Sequence, residues 1–369
     1  MTVTHSGDAP YPELKKTHTI ARTGRPFTDR KPPAAAPVWA AIEGYGRFHV
    51  LVAAIELGVF DAIEQRGAVT GDELAAQLGA SASHLTTLLE GVVAQGLLDH
   101  RHGRFELNDT ARRYLTTNGP ASMSALVPVS PGPLANWRDL ADTIRNGAPA
   151  APIDDNPAEF YVPLVEGTFT TMFRAASRAD TFIRYSALCR PRVLDLGAGG
   201  APWTVAVLTA VPDATAVVND LPGVIDVASR KLADHGLVAR AELRPGSYHD
   251  IAIEDGEFDL VVLGHICRAE GRDGTQMLID RAHRALRPGG RVLLSDYFCD
   301  RQRQAASHAL MMGVTMMAST RRGGTFTYGE AAGDLRSAGF EQVRLIEPIG
   351  FQEMFVATKR DQPREGAPQ

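Results

Sequence analysis

Cysteine is scarce in this sequence of 369 residues, which holds three: Cys189, Cys267 and Cys299. Their wide spacing builds no disulfide framework and matches no zinc pattern, so a reducing cytoplasm is the expected compartment. A basic surplus is also missing. Lys and Arg total 38 against 43 Asp and Glu, a formal net charge of −5, which argues against nucleic acid or an anionic membrane surface as the main partner. No apolar run approaches the roughly 18 residues needed to cross a bilayer. The opening residues MTVTHSGDAPYPELKK lack the basic-then-apolar order of a signal peptide. The length allows two domains with well-buried cores.

Residues 1–36 are polar and proline-bearing (GRPFTDRKPPAAAP) and show no period, as expected of an extended arm. Helical periodicity starts at Val38, and FHVLVAAIELGVFDAI (Phe48 to Ile63) carries apolar residues on a broad helix face. Thr70 and Glu73 match a capping box ahead of LAAQLG. SASHLTTLLEGVVAQGLL follows as a third helix. LLDHRHGRFEL then reads as a hairpin turning at His102-Gly103, with Asn108, Asp109 or Thr110 capping TARRYL. Three helices and a two-stranded wing make a winged-helix arrangement, assigned with its helical extension to residues 37–150. Between Gly79 and His100 there is no Lys or Arg. A recognition helix without cations lacks the phosphate contacts behind most non-specific DNA affinity. Such an apolar winged helix is expected to bury itself against another subunit.

Residues 151–188 read as a helical connector. From there to residue 360, RVLDLG, AVVND, AELRPGS, FDLVVLGH and RVLLSDYF alternate with helical stretches. That is a βαβ series, hence an α/β, Rossmann-like doubly wound parallel sheet. VRLIEPIGFQEMFVATK adds an antiparallel edge hairpin turning at Pro348 to Gly350, and residues 361–369 form a tail.

The first strand of this series enters Asp195-Leu-Gly197-Ala-Gly199-Gly200, and a helix leaves after Pro202. Glycines there let the backbone turn and approach a ligand, and the helix start offers free N–H groups. Pro202 stands where a dinucleotide fingerprint needs its third glycine, which counts against NAD. Roughly 25 residues after Asp195, Asp220 ends the next strand, where an acid accepts hydrogen bonds from ribose hydroxyls. The competing reading is an N-cap for the helix beginning near Pro222. Ribose binding without the pyrophosphate glycines points to S-adenosylmethionine (SAM). At the third strand tip Tyr248 is placed to lie against an adenine ring.

ELGVFDAI, GLLDHRHGRFELNDTARRYL, VLDLGAGG, VVNDLPGVI, ALRPGGRVLLSD and DLRSAGFEQVRLI occur in that order. With them the chain, from about Phe48 to Lys359, resembles the small-molecule methyltransferases of the caffeate and acetylserotonin O-methyltransferase type. The resemblance implies a SAM cofactor, a homodimer through intertwined N-terminal domains, and a small acceptor bound between the two domains. It places Gly197 and Gly199 in the SAM loop, Asp220 with Leu221 at the ribose, and Ser247 with Tyr248 on the adenine side. The family usually has an acid at the position of Ser247.

The family's general base, a histidine after the fourth strand, corresponds to Arg268 here; its supporting acid survives as Asp296, and a second acid's place falls near Thr325. Arginine stays protonated at any working pH and cannot remove a proton. Arg268 is suited to holding a carboxylate, enolate or phenolate, or to an ion pair with Asp296 or Glu270. Strand alternation puts His265 on the face of Leu263 and Cys267, opposite Arg268. Its three readings are a substitute base, a group near the methionyl part of SAM, and a core histidine. His249 and His308 are weaker candidates, and no ligand spacing supports a metal among His265, His308 and Asp250. The methionines of HALMMGVTMMAST recur at helical spacing. The resemblance lays Met312 and Met316 along the acceptor pocket, covered by the GGTFT loop, with Tyr161 and Glu166 facing it by analogy. The expected reaction is O-methylation of an acidic phenol or enol, with C-methylation of an electron-rich ring, indole or enolisable carbon as alternative. A winged-helix regulator, a nicotinamide oxidoreductase and a SAM-binding relative that does not methylate are the rivals.

Overall fold

The computed structural model describes residues 35–130, 132–302, 307–349 and 352–360. The proposed arm up to residue 34, the 361–369 tail and the tip of the edge hairpin at Gly350 lie outside them. The chain divides into two compact units at Gly46, within helix α1 (Ala36–Glu56). In the first unit, α1 exposes Val38, Trp39, Ile42 and Tyr45.

The second unit holds the rest of α1, then α2 (Val59–Arg66), α3 (Gly71–Leu78), α4 (Ala82–Ala94), the strands β1 (Asp99–Arg101) and β2 (Arg104–Glu106), and α5 (Asp109–Tyr114). The start of α3 is fixed as expected: Thr70 Oγ1 accepts the Glu73 N–H while Glu73 accepts that of Thr70. Asn108 caps α5 by accepting the Ala111 N–H. His102 and Gly103 both take positive φ, 52° and 74°, the geometry of a tight hairpin turn whose twist matches its strands. Phe60, Leu74, Leu89 and Phe105 are buried in one core beneath this wing.

After α6 (Leu134–Arg138), α7 (Leu140–Asn146) and the long α8 (Pro157–Ile183) comes the large sheet. Its elements run β3 (Arg192–Leu196), α9 (Pro202–Ala210), β4 (Thr215–Asp220), α10 (Val224–Asp234), β5 (Ala241–Pro245), β6 (Phe258–Gly264), α11 (Cys267–Ala285) and β7 (Leu286–Asp296). The short β8 (Phe298–Cys299), α12 (Ser307–Ser319), β9 (Phe326–Thr327) and α13 (Tyr328–Ser337) follow, then β10 (Phe340–Ile349) and β11 (Gln352–Lys359). The strand order is β10-β11-β7-β6-β3-β4-β5, with β11 antiparallel to both neighbours and the rest parallel.

Apolar side chains alternate between two cores. Leu260 and Val262 join Trp203 and Val205 on one face of the sheet, while Val261 and Leu263 join Leu278 and Leu335 on the other. Burial on both faces is why FDLVVL is apolar throughout rather than alternating. Chain direction along the sheet reverses between β3 and β6, so the loops after these strands open a crevice at their carboxyl ends. Both candidate loops of the sequence, the one at Gly197 and the one at Arg268, lie there.

Candidate active site

One side of the crevice is the glycine loop. Gly197 and Gly199 take φ of +61° and +59°, a region that costs residues with a Cβ roughly 1–2 kcal/mol. Space is equally strict: a Cβ on Gly197 would lie 2.4 Å from Ile266 Cγ2 and 3.4 Å from the Tyr248 ring. Asp220 closes the loop by accepting the Gly199 N–H at 2.6 Å on Oδ2 and the Leu221 N–H at 2.7 Å on Oδ1. It therefore does not cap α10, whose first turn follows Gly223. Burial raises its pKa against the pull of those two N–H groups. One bond per oxygen leaves lone pairs on both for hydroxyl donors.

Deeper in the loop, Asp195 accepts the Thr204 hydroxyl at 2.7 Å on Oδ2, while its Oδ1 is buried with no hydrogen-bond partner among the described residues. Burial pushes its pKa up to about 7, against the pull of Thr204. Tyr248 flanks Gly197, and its hydroxyl donates to Glu270 at 2.5 Å. Burial and this carboxylate raise the phenol's pKa. A backbone cradle, an acid with spare acceptor sites, an unpartnered buried carboxylate oxygen and an aromatic ring together fit a cationic nucleoside such as SAM. Ser247 serves the turn itself, its hydroxyl accepting the His249 N–H at 3.1 Å.

The facing side is built on the end of β6. Arg268 lies in the first turn of α11, which breaks at Gly271 (φ 66°, ψ −169°). Its backbone N–H donates to Asp296 Oδ2 at 2.9 Å, and its Nη1 to Asp296 Oδ1 at 3.3 Å and to the His265 carbonyl at 2.6 Å. The guanidinium carbon stands 5.4 Å from the centre of the Tyr297 ring, within cation–π range. Burial works against its charge, but Asp296, Tyr297 and Tyr161 outweigh burial and hold Arg268 above its usual range. Tyr161, reaching in from α8, is pushed up to about 12 by burial, with Arg268 pulling the other way.

Strand alternation misplaces His265. The strand ends at Gly264, and His265 turns to φ +63°. It consequently sits beside Arg268 rather than opposite, with Nδ1 3.9 Å from Asp296 and its ring 5.3 Å from that of Tyr297. Glu270 is not an Arg268 partner, since its carboxylate is taken by Tyr248 and His249. The GGTFT loop is tied to this side: Gly324 donates its N–H to the Arg268 carbonyl at 2.8 Å. Met316 is buried, and its carbonyl anchors the Thr320 turn that leads into this loop. Met312 is half-buried one turn earlier on α12, while Met311 and Met317 face solvent. Glu166 is exposed and ion-paired with Arg230 of α10, so the structure does not gather it with Arg268 and Tyr161. Among the described residues no group of three His, Cys, Asp or Glu is arranged to hold a metal ion.

Sequence reasoning missed Tyr297 and Thr204. Tyr297 directly follows Asp296 and touches three groups, Arg268, His265 and, at 5.2 Å between ring centres, His308. Its place beside a flagged acid at a strand end was the available signal. Thr204 stands nine residues after Asp195, on the helix the glycine loop leads into, and carried no signal of its own.

Residues 39–117 match the family model of the O-methyltransferase dimerisation domain, and residues 173–341 that of the O-methyltransferase domain. A 3-hydroxy-5-methyl-1-naphthoate 3-O-methyltransferase from Streptomyces sahachiroi is 26% identical over 318 residues, 82% of this chain and 88% of the relative. An L-tyrosine C(3)-methyltransferase from Streptomyces lavendulae is 24% identical over 355 residues, covering 91% and 96%. The structure of human N-acetylserotonin methyltransferase in complex with SAM superposes with a TM-score of 0.78 at 21% identity, covering 90% of this chain and all of that one. With its wing, its reversed sheet and its glycine loop in place, the chain belongs to the SAM-dependent O-methyltransferase family in which a dimerisation domain precedes the methyltransferase domain.

Proposed function

We propose that this enzyme moves the methyl group of SAM to an oxygen of a small aromatic or enolic acceptor whose hydroxyl ionises without a protein base. The observation that carries this reading is Arg268. By the resemblance it falls at the position of the family's histidine; it is locked onto Asp296 and incapable of accepting a proton. A positioned base is worth roughly 10²- to 10⁴-fold in rate, and an acceptor that is already an anion does not need it.

Asp195, Gly197, Gly199, Asp220, Leu221, Ser247 and Tyr248 are the residues that would hold SAM, which when bound supplies a methyl group activated by its sulfonium. Arg268 holds the acceptor's anionic oxygen and, through Asp296, is itself kept from swinging away. Tyr161 and Tyr297 supply flat apolar faces for a ring, and Met312 and Met316 an adaptable wall. Alignment of nucleophile and methyl group is then the main source of rate. The exposed apolar residues of α1 support a homodimer, and the three scattered cysteines support work in the cytoplasm.

The test is product analysis with SAM carrying a carbon-13 methyl, offered to phenols and enols graded in acidity. Turnover should climb as acceptor acidity rises, and the labelled carbon should show the chemical shift of a methyl ether. A label appearing on carbon would favour the second reading, C-methylation, for which the Streptomyces lavendulae relative is precedent. No transfer to any acceptor, with SAM bound, would refute both.

A further inference from the structure

The Arg268 side chain donates its hydrogen bonds through one nitrogen, Nη1. Among the described residues neither Nε nor Nη2 makes a hydrogen bond, and neither is sealed from solvent. The side chain keeps 14% of its surface exposed, so this edge is reachable. A guanidinium presents Nε–H and one Nη2–H in parallel, a fork that matches two neighbouring oxygens in one plane. Its own plane is fixed by the Nη1 bonds and by Tyr297. The groups facing Arg268 are Asp296 at the end of β7 and Tyr297 just after it, His265 after β6, and Tyr161 of α8.

The acids that surround Tyr161 already have donors of their own. Asp154 takes the Arg321 N–H, Asp220 those of Gly199 and Leu221, and Glu270 the Tyr248 hydroxyl. Asp296 likewise accepts the backbone N–H groups of Arg268 and Tyr297. An open pair of donors on a fixed cation is thus the feature of this crevice that asks for an anion.

We propose that the acceptor is a planar, delocalised oxyanion with two neighbouring oxygens, such as an enolised β-dicarbonyl or a hydroxyquinone, gripped side-on by Nε and Nη2 of Arg268. This rests on the O-methylation reading and names its substrate class. One oxygen of the anion attacks the methyl carbon, the carbon–sulfur bond breaks, and its electron pair stays on sulfur. The negative charge of the acceptor and the positive charge of the sulfonium vanish together, leaving a neutral enol ether and a neutral thioether. No proton has to be removed, which accounts for an active site that has exchanged its base for a cation.

Calorimetry on the full chain with S-adenosylhomocysteine bound tests this with two ring systems of like size. Lawsone, a hydroxynaphthoquinone, is an anion at neutral pH, and naphthol is not. Lawsone should bind about tenfold or more tightly than naphthol, the scale of a charge-assisted bidentate contact. Arg268→Gln should abolish that preference, and Arg268→Lys, which keeps the charge but not the fork, should shrink it. Affinity for S-adenosylhomocysteine should stay unchanged in both variants. Equal affinities in the wild type, no lawsone binding, or a preference that survives Arg268→Gln would overturn the proposal. If the glutamine variant fails to fold, a full preference in Arg268→Lys overturns it instead. Methyl transfer in the same samples separates the two readings. Arg268-dependent binding without transfer refutes O-methylation alone; transfer to both compounds without preference refutes the oxyanion class alone.

Discussion

Replacing Gly197 with alanine tests the glycine loop because the structure separates two costs. The first is conformational: φ is +61°, and a Cβ in that region costs about 1–2 kcal/mol. The second is contact, since the new methyl group would meet Ile266 Cγ2 at 2.4 Å. Ile266 is β-branched and buried, so it gives way poorly, and overpacking of this sort costs about 1–3 kcal/mol. The sum is a destabilisation of roughly 2–5 kcal/mol. Gly236, with φ +68° and open space for at least 4 Å around the methyl group it would gain, isolates the first cost. Gly236→Ala should therefore lose only about 1–2 kcal/mol. Urea denaturation of both variants reads the difference, and calorimetry should show SAM affinity falling for Gly197→Ala alone. If the two variants unfold within about 0.5 kcal/mol of each other, the close packing of Ile266 against this loop is wrong.

Asp220→Ala should raise the dissociation constant for SAM by about tenfold or more; unchanged affinity in calorimetry would remove Asp220 from the ribose site. Asp195 keeps its proton in the folded chain up to about 7, against an ordinary value of 3.8. It thus stabilises the fold fully below that ordinary value, and the contribution is lost as pH rises through about 7. The gap in unfolding free energy between wild type and Asp195→Asn should track this window, and a pH-independent gap would show that Asp195 is ionised throughout. Arg268→His should change acceptor turnover more than SAM affinity; wild-type values for both in steady-state kinetics and calorimetry would make Arg268 scaffolding only.

Features that depend on a few consecutive residues were legible. The Thr70–Glu73 box, the His102-Gly103 turn and the glycine loop each need particular residue types at fixed short spacing, and each is found where expected. Asp296 was legible only as one of two acids offered to Arg268, and the structure selects it. Failures cluster where the chain leaves regular structure. Strand alternation gives His265 the opposite face, but a positive φ at the strand end turns it toward Arg268. Proximity in sequence offers Glu270 to Arg268, and the break at Gly271 accompanies its turn to Tyr248 and His249 instead. Glu166 shares α8 with Tyr161, yet only Tyr161 reaches the charge of Arg268.

By itself the sequence determined three helices with a two-stranded wing, an α/β sheet wound in both directions, and a loop that needs glycine at position 197. Those follow from periodicity, turn chemistry and steric exclusion, all properties of neighbours along the chain. Tertiary structure alone decided that Tyr161, His265, Tyr297 and Asp296 converge on one arginine and that two of its donors stay open. Such a set is assembled from α8 and the ends of two adjacent parallel strands. Its geometry is a property of the crevice they form, which no local pattern encodes.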